Sequence, residues 1–463
     1  MKKKSNHFSG QIGFVLAAAG SAVGVGNLWR FPYLAAKDGG GLFLIVYLAL
    51  VLTFGFTLLV SDIAIGRRTK KSAIGAYTEM HPKWKFLGIL TFLVPVLIMT
   101  YYAVIGGWIT RYAVVYLTGS AEAAAGDNYF SAFISSPVSP VVYALLFMGV
   151  TAVIVYKGVQ GGIEAVSKWM MPVLLVLVVV VALYSLTIRH TDESGQLRTG
   201  LQGFLYYLTP HVEGLTVSRF LQILLDAMSQ LFFSLSVSMG IMITYGSYVR
   251  PEVNLNKAVN QIELFDTGVA LFAGAMIVPA VFVFSGTEGM SAGPSLMFVS
   301  LPKVFAAMGK AGVFVGILFF VTAIFATLTS CISVLESIVA NCMEIFHTGR
   351  KKTVHVLAAI YLGASAVIAL GYSAFYFEAE LPNGSTGQLL DIMDYVSNSV
   401  LMPLIALLST ILIGWVKTPE FVIEEMERGG RAFHRKKVYV IMIRYIAPVM
   451  MLILFLQSTG ILQ

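Results

Sequence analysis

The sequence predicts an all-α integral membrane protein with about eleven transmembrane helices. Of its 463 residues, 57% are hydrophobic and only 12% are charged, and the mean hydropathy is +0.81. A typical soluble domain carries roughly 25% charged residues. Apolar stretches of about 20 residues recur along the chain, and each can cross a bilayer. We therefore treat residues 1–463 as one polytopic domain, with no soluble domain of useful size left over.

Hydropathy gives eleven spans, and the positive charge of the loops orients them. Lys and Arg cluster in the loops after spans 2, 8 and 10, whereas loop 118–139 has none. Because cytoplasmic loops carry the excess of Lys and Arg, we predict a cytoplasmic N-terminus and an extracellular C-terminus. This pattern explains the net charge of +7, so the expected surrounding is a lipid bilayer and no nucleic-acid partner is expected. The predicted spans are 12–36, 41–66, 87–117, 140–157, 168–188, 220–248, 258–285, 312–345, 353–373, 388–415 and 437–459.

Glycines interrupt the first predicted span near its middle. Gly20, Gly24 and Gly26 fall within seven residues, and Asn27 and Arg30 follow them. Backbone without helical pairing at bilayer depth persists only where protein buries it or a polar cavity solvates it. A discontinuous helix of this kind indicates the central binding site of a transporter.

The sixth predicted span has a comparable interruption. Its segment Ser234–Gly240 contains three serines and ends in glycine. Two broken helices, each opening a block of five spans, favour an inverted repeat with the binding site between them. We predict a five-plus-five repeat, with 12–188 as its first half and 220–415 as its second, and 437–459 as an extra span.

Oxygen atoms near the two breaks suit a small hard cation. Asn27, Ser234 and Asp266 would join freed carbonyls, and Thr329 and Ser330 add two hydroxyls from span 8. Oxygen-only ligand sets bind alkali or alkaline-earth ions, and half-helix N-termini suit a carboxylate. Because the set holds a single carboxylate, we predict sodium rather than calcium.

Several other ionisable residues fall within or beside apolar spans, where an unpaired charge costs several kcal/mol. Arg30 needs an anion, and Asp394 is the candidate that we predict. For Asp62 and Asp226 we favour structural ion pairs at span ends. The acidic residues in question are Asp62, Asp226, Asp266, Glu336, Asp391 and Asp394.

These motifs together resemble the neurotransmitter:sodium symporter family, in the eleven-span form known from bacteria. The resemblance covers nearly the whole chain in the order of the family, and its combined match is highly specific. It is carried by Gly20–Asn27, Trp29–Tyr33, Gly39–Gly41, Tyr101–Tyr102, Gln230–Gly240, Thr244–Tyr248, Leu328–Ser330 and Asp391–Asp394.

The resemblance implies two sodium sites, a substrate site and two gates. The first sodium site would use Ala22, Asn27, Ser234 and Asp266, and the second Gly20, Val23, Ala326, Thr329 and Ser330. The substrate site would use Ser21, Ala22, Gly24, Val25, Gly26, Ile98, Tyr102, Phe233, Ser234, Ser236, Met239, Ser330 and Val334. The extracellular gate would use Arg30, Gln230 and Asp394, and the cytoplasmic gate Tyr248 and Glu344.

Two departures from the family pattern bear on the transported species. Gly24 stands where monoamine transporters of animals have aspartate, so the substrate must bring its own carboxylate, and an amino acid is favoured over an amine. Ala270 replaces the serine of chloride-dependent members, and Asp266 stands where asparagine is common. Because a fixed negative charge can replace that of the anion, we expect chloride independence.

Two further departures concern the moving parts. Ser5 and Phe8 replace the Arg and Trp of the inner gate, which leaves Glu344 without its usual cation; Lys3 or Lys4 is the substitute that we consider. Ser238 replaces a glycine in the sixth-span break, where the unwound turn should still form with altered flexibility.

The resemblance therefore implies sodium-coupled import of a small solute by alternating access in a prokaryotic plasma membrane, by a monomer or weak homodimer. The side-chain pocket, which includes Val25, Met239 and Val334, is apolar, so we expect a hydrophobic or aromatic L-amino acid. Alternatives are an amino-acid sensor that does not transport, and a transporter of another zwitterion or an amine. A channel would need a continuous lined pore, and no spacing of catalytic residues suggests an enzyme.

Overall fold

The computed structural model describes residues 7–191, 195–286, 289–290 and 292–462, and these are mostly helical. Within them, nine continuous helices are long and apolar enough to cross a membrane, and one bent pair forms a further crossing. This architecture confirms the predicted all-α membrane fold. The bent pair is α1 (Gln11–Ala22) and α2 (Val25–Lys37), followed by α3 (Gly41–Thr69), α4 (Pro82–Leu117), α5 (Ser139–Tyr156) and α6 (Val159–Thr187).

The second half of the chain begins with another broken helix. Its segments are α7 (Val217–Ser234) and α8 (Ile241–Ser247), and they occupy the place of the predicted sixth span. The remaining long helices are α9 (Leu255–Ser285), α10 (Lys310–Phe346), α11 (Arg350–Leu370), α12 (Leu389–Val416) and α13 (Lys436–Ser458). The order of elements matches two sets of five spans plus one, and the inverted symmetry between the sets remains a prediction.

Both breaks lie where glycine and serine were read as interruptions. The axes of α1 and α2 differ by 56°, and Val23 and Gly24 between them have extended backbone. Between α7 and α8, the φ angles of Ser236, Ser238 and Gly240 are 53°, 62° and 72°. These left-handed conformations are unusual for a residue with a side chain, so the two serines must be held by their surroundings.

Short elements connect the spans. Two small antiparallel hairpins pair Arg189–Thr191 with Leu197–Thr199 and Ala379–Glu380 with Thr386–Gly387. Short π-helical segments interrupt long helices at Val51–Gly55, Tyr395–Leu401 and Met442–Ile446. Two others begin α6 at Val159–Glu164 and end α12 at Leu412–Val416. The connecting helices are Ala73–Met80, Ala121–Ala124, Tyr129–Ile134, Gly200–Leu208, Leu296–Ala307 and Glu420–Met426.

Backbone-to-backbone packing fixes α8 against α3. A Cβ atom built on Gly66 would lie 1.8 Å from the carbonyl oxygen of Ile243, and one on Gly246 would lie 2.4 Å from that of Ile63. Small residues permit such close approach between membrane helices. The half-helix α8 is therefore packed tightly against α3, and this packing places the second break beside the first.

Candidate substrate and ion sites

A cavity of about 360 Å³ lies between the two breaks. Every residue that the resemblance assigned to the substrate site lines this cavity, although contact with a substrate remains a prediction. The assigned residues in its wall are Ser21, Ala22, Gly24, Val25, Gly26, Ile98, Tyr102, Phe233, Ser234, Ser236, Met239, Ser330 and Val334.

The cavity combines a polar end with apolar walls. Tyr102 places its hydroxyl 3.5 Å from the backbone nitrogen of Val25, at the start of α2. A Cβ atom on Gly24 would lie 3.1 Å from that hydroxyl and 3.3 Å from the hydroxyl of Ser330. The absence of a side chain at Gly24 therefore leaves the N-terminus of α2 open to a ligand, and such an N-terminus favours an anionic group.

A buried carboxylate joins the two breaks to α9. Asn27 donates from Nδ2 to Asp266 Oδ1 (3.0 Å) and to Ser234 Oγ (3.1 Å), and Ser234 Oγ donates to both Asp266 oxygens (2.8 and 2.9 Å). All three side chains are buried. Among the described residues, no ion pair neutralises Asp266, so this cluster favours an added cation.

Carbonyl oxygens crowd around the hydroxyl of Ser330. Its Oγ lies 3.3 Å from the carbonyl of Gly20, 3.2 Å from that of Val23 and 3.1 Å from those of Ser21 and Ala326. The neighbouring Thr329 hydroxyl lies 3.2 Å from the Ala326 carbonyl. A single O–H cannot satisfy four acceptors at once. A small cation bound among these neutral oxygens would satisfy the rest.

Tyr47 is a residue near the first cluster that sequence reasoning missed. It is buried in α3 with its hydroxyl unpartnered within the described part of the chain, and it faces Asp266 and Ser234. The oxygen Oε1 of Gln230 is likewise buried and unpartnered, while its Nε2 lies 3.5 Å from the Gly26 carbonyl. A tyrosine in the middle of an apolar span was the available signal, since a buried Tyr hydroxyl usually finds a partner.

Arg30 and Asp394, which the resemblance assigned to the extracellular gate, make no direct ion pair within the described part of the chain. Arg30 donates from Nη2 to Ser229 Oγ (2.7 Å), and its guanidinium lies 5.3 Å from the ring centre of Phe233. Asp394 instead accepts from the Tyr101 hydroxyl (2.8 Å) and from Asn398 Nδ2 (2.5 Å). Both charged groups line the central cavity. Each charged group is therefore held by partners of its own, and closure of the gate by their pairing remains a prediction.

Tyr248 and Glu344, which the resemblance assigned to the cytoplasmic gate, have separate partners in this structure, and their role as a gate remains a prediction. The Tyr248 hydroxyl donates to Glu336 (2.7 Å), and Arg350 binds the same carboxylate through two bonds of 2.6 Å. Glu344 accepts from the Ser72 backbone nitrogen (2.9 Å) and hydroxyl (2.5 Å). Glu336 and Glu344 are two turns apart on α10, roughly 12 Å along the axis. Lys3, Lys4 and Ser5 lie outside the described residues.

Phe8 packs against the C-terminal end of α8, on the side of the molecule where the chain begins. Its side chain is 1% exposed, and its ring centre lies 5.5 Å from that of Tyr245 and 6.2 Å from that of Tyr248. The Phe8 backbone nitrogen donates to the Tyr248 carbonyl (3.2 Å). This aromatic layer, formed by Phe8, Tyr245 and Tyr248, covers the C-terminal end of α8.

Asp62 and Asp226 were both expected to form structural ion pairs, and only one of them does so. Asp226 pairs with Lys37 at 2.8 Å, as expected. Asp62 makes no ion pair within the described part of the chain, and the prediction is wrong there. Its carboxylate accepts from the Ser238 backbone nitrogen (2.8 Å). It therefore caps the unwound segment between α7 and α8, in which Ser238 has a left-handed backbone.

Comparison with known proteins agrees with this geometry. The model of the sodium:neurotransmitter symporter family matches residues 5–132 and 134–462. An uncharacterized sodium-dependent transporter of Bacillus subtilis, YhdH, is 35% identical over 100% of this chain and 99% of its own length. One from Haemophilus influenzae is 30% identical over 98% of both chains.

A solved structure, that of MhsT in complex with L-phenylalanine, has a TM-score of 0.82 to this chain. It shares 34% sequence identity and covers 98% of this chain and 99% of its own. The chain therefore belongs to the sodium:neurotransmitter symporter family, a family of sodium-coupled transporters and not of enzymes.

Proposed function

We propose that this transporter imports a hydrophobic or aromatic L-amino acid together with sodium and without a chloride requirement. The observation that carries the proposal is the cavity between the two breaks. At one end it offers the N-terminus of α2 and the Tyr102 hydroxyl, and its walls include Ile98, Met239 and Val334. An amino acid has a charged end and a side chain, and these two kinds of surface match it.

The charged end of the substrate would lie against α2. Its carboxylate would accept from the backbone N–H groups after Gly24 and from Tyr102, and would share a sodium ion with Asn27 and Asp266. Because Gly24 has no carboxylate, an amine lacking its own anionic group would leave these donors without an acceptor. MhsT, the structural neighbour at 34% identity, is described in complex with L-phenylalanine, which supports an aromatic substrate.

We assign two sodium ions to the two oxygen clusters. One cluster contains Asp266 and the other surrounds Ser330, as described above. The carboxylate of Asp266 lies beside Ser234, and Ala270 one turn later offers no hydroxyl. A chloride ion placed there would be repelled by the carboxylate, and this supports chloride independence.

The mechanism that we propose is alternating access. Phe8 and Tyr248 would close the N-terminal side, and pairing of Arg30 with Asp394 would close the opposite side. Substrate binding would bring Phe233 and the Arg30–Asp394 pair over the cavity, and release of the sodium beside Ser330 would free α1. Substrate and sodium share ligands, so each must raise the affinity of the other equally.

We place the protein in a prokaryotic plasma membrane with its N-terminus in the cytoplasm, as a monomer or weak homodimer. The cations beyond the ends of α3 and α12 support this orientation through the positive-inside rule.

Uptake into proteoliposomes tests the proposal. Labelled amino acids would be presented one at a time with an inward sodium gradient, with potassium replacing sodium, and with gluconate replacing chloride. We expect sodium-dependent uptake that is greatest for hydrophobic or aromatic substrates and unchanged by removal of chloride. Sodium-dependent binding without uptake would instead identify the sensor, and preference for an amine would overturn the substrate assignment.

A further inference from the structure

A second cavity lies at the C-terminal end of α8, on the side of the molecule where Phe8 packs. Its volume is about 750 Å³, within the range of small-molecule sites, and its wall includes Lys70, Ser247, Tyr248, Arg250 and Glu252. The central cavity contacts the first residue of α8, Ile241. The two cavities therefore lie at opposite ends of one helix of seven residues, which is roughly 10 Å long.

Tyr248 belongs both to the aromatic layer around Phe8 and to the wall of this cavity. It packs against Phe8, and its hydroxyl is held by Glu336. Its own side chain also forms part of the second cavity's wall. Tyr248 therefore connects the aromatic layer around Phe8 to the wall of this cavity.

The charged residues of this cavity match both ends of a zwitterion. Lys70 and Arg250 are cations, and Glu252 is an anion. The Lys70 ammonium is held in place by the Val249 carbonyl at 2.5 Å. Pro251 and the Tyr248 ring add apolar surface for a side chain.

The backbone fixes these charges relative to one another. Lys70 ends α3 in a left-handed conformation, with a φ of 58°. Arg67 and Arg431 both donate to the Val253 carbonyl, at 2.8 and 2.7 Å, and so hold the turn that carries Arg250 and Glu252. Burial, followed by the charge of Arg67, lowers the pKa of Lys70, which lies just beyond the span. An added anion would offset both of these causes.

We infer that this cavity is an exit site for the transported amino acid, where Lys70 and Arg250 receive its carboxylate and Glu252 its ammonium group. The inference rests on the proposed function and adds a second substrate-binding site to it. Although Lys70 is partly buried, all three charged side chains keep much of their surface exposed to solvent, and ion pairs that face solvent contribute little each. The site consequently binds weakly, which allows release, because a transport path must not hold its substrate tightly at the last step.

The test compares the two membrane faces in proteoliposomes, with L-phenylalanine as the probe. The half-saturation concentration is measured for substrate added at the face that carries Lys70 and, separately, at the opposite face. In the double variant Lys70→Gln, Arg250→Gln, we expect the first value to rise about fivefold. The value at the opposite face and sodium-dependent binding should remain unchanged.

Lys71→Gln is the matched control, because Lys71 is adjacent in sequence and pairs with Glu79 at 2.9 Å. It should change neither half-saturation value. Equal values for the double variant and the wild type, or equal changes at both faces, would overturn the exit site while leaving the proposed function intact. If the wild type shows no sodium-driven uptake of any hydrophobic or aromatic L-amino acid, the proposed function fails, and the exit site fails with it.

The membrane composition separates the amino acid from a lipid phosphate, which has similar charge. The measurements are repeated in phosphatidylcholine alone and in phosphatidylcholine mixed with phosphatidylglycerol. An exit site predicts the same fivefold change in both membranes. A change confined to the mixed membrane would identify an anionic headgroup site and overturn the assignment.

Discussion

Ser236 donates a hydrogen bond of 2.9 Å from its hydroxyl to the carbonyl of Ser21. The two residues are 215 positions apart, and each lies at the break of its own span. The carbonyl of Ser21 also lies 3.1 Å from the hydroxyl of Ser330. One backbone oxygen of the first break thus contacts both the second break and the proposed sodium site in α10. This oxygen is one of several contacts that couple the two breaks, together with the bond from Asn27 to Ser234.

Replacement of Ser236 by alanine should weaken substrate binding. The variant loses two buried hydrogen bonds, one donated to the Ser21 carbonyl and one accepted from the Ser21 hydroxyl at 3.2 Å. At about 1 kcal/mol each, they correspond to about a thirtyfold change in affinity. Binding of labelled amino acid to purified protein measures it. Ser131→Ala is the control, because Ser131 is exposed and bonds only to the carbonyl of Asn128 in its own helix. Unchanged affinity in Ser236→Ala would show that the breaks are coupled by other contacts.

Local sequence sufficed to predict the two breaks. Glycine and serine weaken a helix at bilayer depth, so a run of them indicates that the freed backbone groups bind something. The residue types alone also indicate the oxygen ligands of Asn27, Ser234, Asp266, Thr329 and Ser330. The carbonyls of Gly20, Val23 and Ala326 are implied only by the family resemblance. The partners of charged groups could not be predicted, since they depend on packing between distant segments. Asp62 and Ser238 are 176 positions apart. Glu336 and Glu344 lie on the same helix, but Glu336 binds Tyr248 and Arg350. Glu344 binds Ser72.

Replacement of Asp266 by asparagine should weaken sodium dependence and create a chloride requirement. The amide keeps the shape of the side chain and removes the buried negative charge, which otherwise attracts the cation. We expect the half-saturation concentration for sodium to rise about tenfold, with partial recovery on adding chloride. Uptake at varied sodium, in chloride and in gluconate, measures both effects. Identical ion dependence in wild type and variant would remove Asp266 from the sodium site.

Replacement of Tyr101 by phenylalanine should favour closure of the gate between Arg30 and Asp394. Asp394 would lose one of its two neutral donors, and its carboxylate would then be freer to pair with Arg30. A cysteine introduced at Ile105, in the cavity wall, should react more slowly with a charged thiol reagent in this variant. Cys331 and Cys342 are both buried, and an otherwise wild-type chain measures their background. Faster labelling in the variant would contradict this role for Tyr101.

Asp38 should make the stability of the protein depend on pH. It follows α2, just outside the span, and is held by Arg219 at 2.9 Å. Burial, followed by the nearby Asp226 carboxylate, raises its pKa from 3.8 to about 6. The folded state therefore binds a proton more tightly than the unfolded state, and the contribution of Asp38 to stability falls as pH rises from about 4 to about 6.

The variant Asp38→Asn tests this contribution. Thermal midpoints in detergent, measured from pH 4 to 7, should decline less steeply with pH in the variant than in the wild type. Asp127→Asn is the control, because Asp127 is exposed and its pKa is lowered by Lys303. Parallel pH profiles for Asp38→Asn and the wild type would contradict the assignment.

Gly66 should be the glycine least able to accept a side chain on the face where α3 meets α8. The added methyl group would overlap the Ile243 carbonyl, only 1.8 Å from its position, and neither backbone can move without disturbing the second break. We expect Gly66→Ala to cost about 3 kcal/mol of stability and to reduce substrate binding. Gly363→Ala in α11 is the matched control, since no atom lies within 4 Å of its added Cβ. Because alanine is the better helix former, that control should gain about 0.5 kcal/mol. Thermal unfolding of the two variants in the same detergent measures the difference, and equal midpoints would show that α3 and α8 can separate without cost.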